Sequence, residues 1–197
     1  MAIVGLDVGY GWTKRYTRSG GSKFPTNVRP FREEKALGEA DFVEVNGKKY
    51  EIGVMEGITE TRDRQFFLSD EFLAVVFYAL KDYNEEVRLG IGLPPAWLDI
   101  REEVAKRLTG VHEFYYHGKK KLRIQAYVFP QGWGGYIDHI YNLDGRYLAN
   151  KDIPALFVDV GYYTLDTILT EMVWKGTKPV IKPKKTEEPT LPFGISR

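Results

Sequence analysis

Residue types able to do chemistry concentrate in two short segments with the same pattern, residues 7–14 (DVGYGWTK) and residues 159–166 (DVGYYTLD). Each follows an apolar run typical of a buried β-strand, and each has an aspartate at the strand end and a glycine two residues later. Both segments are therefore predicted to be β-hairpins, in which glycine gives a tight turn with positive φ. Successive backbone N–H groups in such a turn bind anions, whereas the neighbouring carboxylate would repel a bare phosphate. The combination favours a phosphate group that a divalent cation bridges to the carboxylate.

The first hairpin also contains a candidate phosphate-binding cation, Lys14. It lies seven residues after Asp7, far enough along the second strand for its ammonium to reach back toward the turn and contact a β- or γ-phosphate. In the second segment, Asp159, Gly161 and Thr164 form the equivalent loop. Either hairpin alone is equally consistent with an ordinary structural turn. Two of them, about 150 residues apart, predict two loops that close on one phosphate chain.

A third candidate is Gln131, in the sequence VFPQGW at the junction of a predicted strand and a predicted helix. A neutral amide at a helix N-terminus can orient a water molecule toward a γ-phosphate, as a glutamine does in other nucleotide hydrolases. By itself, Gln131 is equally well explained as a polar residue in the first helical turn. The two phosphate loops favour the catalytic interpretation.

The composition bounds the class of protein. A chain of 197 residues holds one large domain or two small ones. Its 28 Lys and Arg residues nearly balance 27 Asp and Glu residues, so no net charge draws it to nucleic acid or to an anionic membrane. Cysteine is absent, which excludes disulfides and thiolate metal sites. No apolar segment approaches the ~18 residues of a membrane-spanning helix, and the N-terminus lacks a signal-peptide pattern, so we expect a cytoplasmic protein.

The elements that must position these residues alternate between strands and helices. The predicted strands are 2–6, 12–18, 22–25, 42–45, 49–53, 87–92, 111–116, 122–128, 155–158, 167–173 and 178–181. The predicted helices are a first one from Ser69 or Asp70 to about Tyr83, then 97–108 and 133–141. Residues 27–40 are predicted to be a loop or a small inserted element, and residues 182–192 a polar tail. Strands, then a βαβα succession, then strands again predict an α/β fold with a mixed sheet.

The order of these motifs resembles a known family. DVGYGWTK, a strand ending in GLPPAW, then VFPQGWGGYIDHI and VDVGYYTLD are similar to the actin-like ATPases, and among them to the plasmid-segregation (ParM/StbA-type) actin homologues. The resemblance extends from Ala2 to about Thr170. It implies an actin-like (ribonuclease H-like) α/β fold with a mixed five-stranded sheet, two domains that close on Mg-ATP, and polymerisation coupled to the nucleotide state.

The resemblance also implies a role for each candidate residue. Asp7 and Asp159 would hold Mg²⁺ through its waters, since this ion keeps several waters and needs few carboxylates. Lys14 would neutralise charge on the β- and γ-phosphates, Gln131 would place the attacking water, and Thr164 would belong to the second phosphate loop. Backbone N–H groups would bind the phosphates from Gly9, Tyr10, Gly11, Gly161 and Tyr162.

One expected part of the family pattern is missing from the sequence. A glycine-rich adenosine-binding segment and most of a second domain should follow the second phosphate loop. Residues 1–145 would then form the first domain and residues 155–197 only the opening strands of the second. We therefore expect residues 1–197 to bind nucleotide weakly and to hydrolyse it slowly.

Three functions remain open at this point. The first is the N-terminal portion of a filament-forming ATPase that polymerises head to tail, with an adapter protein as a further partner and no direct contact with nucleic acid or membrane. The second is a sugar or acid kinase of the same superfamily, although Gln131 stands where a kinase would need a catalytic aspartate. The third is a nucleotide-sensing or filament-capping module that hydrolyses nothing. Fold alone does not separate these functions.

Overall fold

The computed structural model describes residues 1–32, 41–53, 63–142, 144–148, 154–160, 165–176, 178–184 and 190–191. The strands are β1 Ala2–Val8, β2 Trp12–Thr17, β3 Gly20–Pro25, β4 Val28–Pro30, β5 Val43–Val45, β6 Lys48–Ile52, β7 Glu86–Leu93, β8 Gly110–Tyr115, β9 Lys119–Pro130, β10 Leu156–Val160, β11 Leu165–Lys175, β12 Lys178–Pro183 and β13 Thr190–Leu191. The α-helices are α1 Asp70–Ala79, α2 Arg101–Leu108 and α3 Trp133–Ile140. The chain divides into two compact units, one of residues 1–91 and 100–128 and the other of residues 92–99 and 129–197.

The first unit is built on a mixed sheet with the strand order β3-β2-β1-β7-β9-β8-β5-β6-β4. Strand β1 pairs with β2 in antiparallel and with β7 in parallel orientation. The α/β fold with a mixed sheet is confirmed, but five strands is wrong, because the sheet has nine strands within the described residues. Three of the four additional strands are the hairpin β5–β6, which joins the sheet through β8, and β4, in a segment predicted to be a loop.

The hairpin β5–β6 joins the sheet because its apolar side needs a partner. Val43, Val45 and Tyr50 are buried, and this burial stabilises the hairpin only when a sheet or helix covers it. The turn itself follows local chemistry, since the dipeptide Asn46-Gly47 between the predicted strands 42–45 and 49–53 favours a type I′ turn. Asn46 (φ 51°) and Gly47 (φ 76°) both adopt the positive φ that a type I′ turn requires.

Helix α1 lies in the core and begins at the predicted cap. The Ser69 hydroxyl accepts the Phe72 N–H at 3.2 Å, which identifies Ser69 rather than Asp70 as the N-cap. The helix ends at Ala79, earlier than the predicted Tyr83. After this point the N–H groups of Lys81 and Tyr83 bond three residues back, to Tyr78 and Leu80, so the chain tightens into 3₁₀-type turns.

The predicted helix 97–108 is a 3₁₀ segment, Pro95–Ile100, followed by α2. The backbone is non-helical at Trp97 (φ −114°, ψ 17°). The Trp97 N–H donates to the Pro94 carbonyl at 2.9 Å, a bond three residues back that is typical of a 3₁₀ turn. Helix α2 has Glu102 and Glu103 in its first turn and basic residues in its last, a charge order that matches the helix dipole.

In the second unit, the described residues form a four-stranded sheet with the order β10-β11-β12, in which β13 also pairs with β11. Helix α3 packs on this sheet, with the rings of Tyr136 and Phe157 5.5 Å apart. Strand β13 lies in the segment predicted to be a polar tail, so that prediction is wrong at Thr190–Leu191. No helix among the described residues has the length and apolar character needed to cross a lipid bilayer.

Candidate functional site

The first predicted hairpin is formed by β1 and β2. In its register Val8 lies opposite Thr13 and Asp7 lies opposite Lys14. The Gly9 N–H donates to the Trp12 carbonyl at 3.2 Å, so this N–H closes the turn instead of pointing into solvent. The expected positive φ is wrong for Gly9. Space favours glycine there instead, because a Cβ would lie 3.1 Å from the Trp12 carbonyl oxygen.

Lys14 reaches back to the carboxylate of the same hairpin. Its Nζ lies 2.9 Å from Oδ2 of Asp7, and the Lys14 and Asp7 side chains are 45% and 26% exposed. The ammonium therefore lies beside the carboxylate, one residue before the end of β1. The cation and the carboxylate thus neutralise each other in this conformation. Because both side chains are partly exposed, polyphosphate could attract the ammonium and a hard cation could attract the carboxylate oxygens.

Two buried threonines that the sequence did not point to, Thr13 and Thr26, lie beside this turn. The hydroxyls of Thr13 and Thr26 lie 3.0 Å apart and both residues are fully buried. The Thr26 N–H also donates to the Gly11 carbonyl at 3.1 Å. These bonds tie the connection between β3 and β4 to the candidate phosphate loop. No short motif contains both threonines, so the sequence offered no signal for them.

The second predicted hairpin is formed by β10 and β11 with the same register. Val160 lies opposite Leu165 and Asp159 opposite Asp166, as Val8 lies opposite Thr13 and Asp7 opposite Lys14. Both connections therefore have the same length. The loop between these strands contains three of the predicted site residues, which lie outside the described residues: Gly161, Tyr162 and Thr164. The backbone position that Lys14 has in the first hairpin is taken here by Asp166.

Gln131 lies between β9 and α3, two residues before the helix begins. Its N–H donates to the Leu93 carbonyl at 2.8 Å, which continues the β7–β9 ladder to its end. Gly132 is the N-cap of α3 and has the left-handed φ of 81°, which favours glycine. The Gln131 side chain lies close to Gly92, where a Cβ would be 3.0 Å from its Cγ. Gln131 is therefore at the helix N-terminus, but outside its first turn.

The donor set of these residues fits a magnesium nucleotide. Asp7 and Asp159 are both partly exposed and provide carboxylate oxygens, the ligands that Mg²⁺ prefers beside its waters. Across the residues that the structure describes, no group of three or more His, Asp or Glu side chains could hold a metal ion. Lys14 provides a cation for phosphate beside the first carboxylate.

Comparison with known proteins identifies the first two thirds of the chain. The family described as "Actin like proteins N terminal domain" matches residues 5–134. No curated protein matches the chain.

Solved structures show the same fold at low identity. The chain is similar to the filament structure of AlfA from B. subtilis plasmid pLS32, with 17% identity and a TM-score of 0.72 over 98% of this chain and 73% of that chain. It is similar to a non-polymerisable quadruple mutant of pCBH ParM, with 20% identity and a TM-score of 0.66 over 98% of this chain and 64% of that chain. It is also similar to the ADP complex of Ta0583, an archaeal actin homolog, with 22% identity and a TM-score of 0.61 over 86% of this chain and 55% of that chain. The chain thus spans less than two thirds of the last two.

Proposed function

The chain belongs to the actin-like proteins, whose N-terminal domain it contains, and we propose that it is the N-terminal portion of a filament-forming ATPase that segregates plasmid DNA. The observation that supports this most directly is the pair of hairpins with identical register, each with an aspartate one residue before the strand end. Two such turns suit a nucleotide bound from two sides. The ADP complex of Ta0583 and the filament of AlfA are structures of similar fold.

In this proposal each site residue has one task. Asp7 and Asp159 hold Mg²⁺, which neutralises phosphate charge when it is bound. Lys14 exchanges its contact with Asp7 for one with the β- and γ-phosphates of ATP. The backbone of the first loop binds phosphate through Tyr10 and Gly11, because the N–H of Gly9 already bonds within the turn. The second loop contributes Gly161, Tyr162 and Thr164.

Gln131 orients the water that attacks the γ-phosphate. Its backbone is fixed by the bond to Leu93, so the carboxamide starts from a defined position at the end of β9. An amide both donates and accepts hydrogen bonds, and can therefore hold a water molecule in line without taking its proton. Positioning of this kind, together with charge neutralisation, accounts for most of the catalysis in phosphoryl transfer.

Self-association is the proposed consequence of nucleotide binding. We propose that copies of the full-length protein assemble head to tail, which generates an open filament rather than a closed ring. An adapter protein would connect the filament to plasmid DNA in the cytoplasm. Residues 1–145 and 155–197 would belong to the first and second domains of the subunit.

The test is a time course of pelleting by the full-length protein with Mg-ATP. We expect wild-type filaments to form and then disassemble as ATP is hydrolysed. In Gln131→Ala, phosphate release should fall roughly 10²-fold because the water is no longer oriented, and the filaments should persist. Gln125→Ala is the matched control, since Gln125 is an exposed residue of the same strand.

Two results would contradict the proposal in different ways. Phosphate release by Gln131→Ala at the wild-type rate would remove the catalytic role of this residue. Failure of the wild-type protein to pellet with any nucleotide, combined with transfer of phosphate to a sugar, would favour the kinase.

A further inference from the structure

Gly92 lies at the end of β7 and faces away from the core. The alternate residues Val87, Leu89, Ile91 and Leu93 are buried, whereas Gly92 is on the opposite side of the strand. A Cβ on Gly92 would lie 3.0 Å from Cγ of Gln131, 3.8 Å from its Cα and 4.0 Å from its Cβ. The φ of Gly92 is not in the left-handed region, so the backbone would accept an alanine. The space for a side chain at this position is taken by Gln131.

The main chain around Gln131 has little freedom to move away. The Gln131 N–H is bonded to the Leu93 carbonyl at 2.8 Å. The next residue, Gly132, has a left-handed φ, and a Cβ there would lie 3.3 Å from Cδ1 of the buried Ile168. The segment is thus held by β7 on one side and by β11 on the other. A methyl group on residue 92 would therefore displace the Gln131 side chain rather than its backbone.

We propose that Gly92 is a positioning residue for Gln131. The absence of a side chain at residue 92 allows the Gln131 stem to lie against the β7 backbone, and this contact sets the direction in which the carboxamide points. With a methyl group there, Cγ of Gln131 must give way by a few tenths of an ångström, most easily by rotation about χ1. The carboxamide lies further from this axis than Cγ and therefore moves further, and a misplacement of about 1 Å at a reacting centre costs roughly 10²-fold in rate. The inference rests on the proposed role of Gln131.

The experiment is a double-mutant cycle in the full-length protein. We expect Gly92→Ala to lower kcat for ATP hydrolysis by at least tenfold, with KM for ATP unchanged within about twofold. In the Gln131→Ala background, Gly92→Ala should cause no further loss, because the Cγ that the new methyl group would meet is absent. Gly134→Ala is the control, since a Cβ at Gly134 meets nothing within 4 Å.

A second readout needs no nucleotide and can be made on residues 1–197. Gly92→Ala should lower the thermal midpoint by about 2–4 °C or more when residue 131 is glutamine, and by less than half of that when it is alanine. If the single variant does not fold, folding of the double variant shows the same coupling. If Gly92→Ala lowers the thermal midpoint equally in both backgrounds, the proposed contact between a side chain at residue 92 and Gln131 is overturned.

The outcomes separate this inference from the proposed function. Wild-type hydrolysis by Gln131→Ala contradicts the catalytic role of Gln131, and with it any catalytic effect of Gly92, even when the midpoints are coupled. Slow hydrolysis by Gln131→Ala together with wild-type hydrolysis by Gly92→Ala leaves the proposed function intact and overturns the positioning role of Gly92.

Discussion

The Lys14 ammonium and the Asp7 carboxylate lie directly across a strand pair, 2.9 Å apart. Since both side chains are partly exposed, solvent screens the pair, and it adds only about 0–1 kcal/mol to the free energy of unfolding. In the proposed function its main effect is on binding. A polyphosphate that attracts Lys14 would leave the Asp7 carboxylate able to attract a cation, so we expect phosphate and metal to favour each other's binding at this turn.

Replacement of Lys14 separates these two effects. We expect Lys14→Ala to weaken Mg-ATP binding by about tenfold or more, since a charged hydrogen bond to phosphate contributes roughly 1.5–3 kcal/mol. The free energy of unfolding should change by less than about 1 kcal/mol. Calorimetric titration and urea unfolding measure the two quantities.

Lys121→Ala is a suitable control for this variant. Lys121 also pairs with a carboxylate across two antiparallel strands, 3.2 Å from Glu113, with both side chains at least 70% exposed. The variant Lys121→Ala should leave the affinity for Mg-ATP unchanged. If Lys14→Ala binds Mg-ATP as tightly as Lys121→Ala, Lys14 does not contact the nucleotide.

At the scale of elements, Asp70 joins three parts of the first unit. Its carboxylate, in the first turn of α1, accepts hydrogen bonds from Asn46 (3.0 Å) and Lys48 (3.4 Å) of the hairpin β5–β6 and from Arg107 (2.8 Å) of α2. Burial alone raises the pKa of Asp70. The hydrogen bonds from Asn46 and Lys48 and the charges of Lys48 and Arg107 outweigh it and lower the pKa below its usual 3.8. The carboxylate thus fixes the added hairpin and α2 to the start of α1.

The lowered pKa of Asp70 predicts a pH-dependent contribution to stability. The contribution is fully present above the unfolded pKa of about 3.8, and it is lost as pH falls through the folded pKa below that value. Asp70→Asn should therefore lower the free energy of unfolding by about 2 kcal/mol at pH 7, and the difference from wild type should shrink below about pH 4. Urea unfolding at a series of pH values measures this difference.

Asp82→Asn provides the comparison for Asp70. Asp82 pairs with Arg15 at 2.8 Å, but its side chain is 60% exposed, so its removal should change the free energy of unfolding little at any pH. A difference between Asp70→Asn and wild type that stays constant from pH 7 to pH 3 would show that the charge of Asp70 does not stabilise the junction.

At the scale of the whole molecule, the chain contains the actin-like N-terminal domain at residues 5–134. It spans 64% of the ParM structure and 55% of the Ta0583 structure. The division into domains at 1–145 and 155–197 stays a prediction.

Nucleotide affinity tests the proposal that residues 1–197 are only the N-terminal portion of the ATPase. On that proposal, we expect residues 1–197 to bind Mg-ATP at least tenfold more weakly than the full-length protein, because the proposed phosphate contacts would remain while base and ribose contacts from the second domain would be missing. Each tenfold change corresponds to about 1.4 kcal/mol, which is within what a few lost hydrogen bonds contribute. Calorimetry on both polypeptides measures the ratio. Equal affinities would show that residues 1–197 contain the whole nucleotide site.

The sequence by itself determined the local features of this protein. The hairpin at Asn46 and Gly47, a helix cap at Ser69 or Asp70 and the strands on either side of each aspartate follow from turn chemistry, capping and apolar runs, which act over a few residues. The order of the motifs along the chain was sufficient to predict the family.

Only the tertiary structure decided which distant segments meet. The nine sheet strands among the described residues instead of five, the junction at Asp70, the threonines beside the first loop and the place of Gln131 next to Gly92 all depend on residues far apart in the chain. Gly9 illustrates the difference. The sequence shows that this residue is a glycine, but only the structure shows that a side chain there is disfavoured by the carbonyl oxygen of Trp12 rather than by a positive φ. Local propensities act between chain neighbours, whereas strand partners and space for a side chain depend on how the whole chain packs.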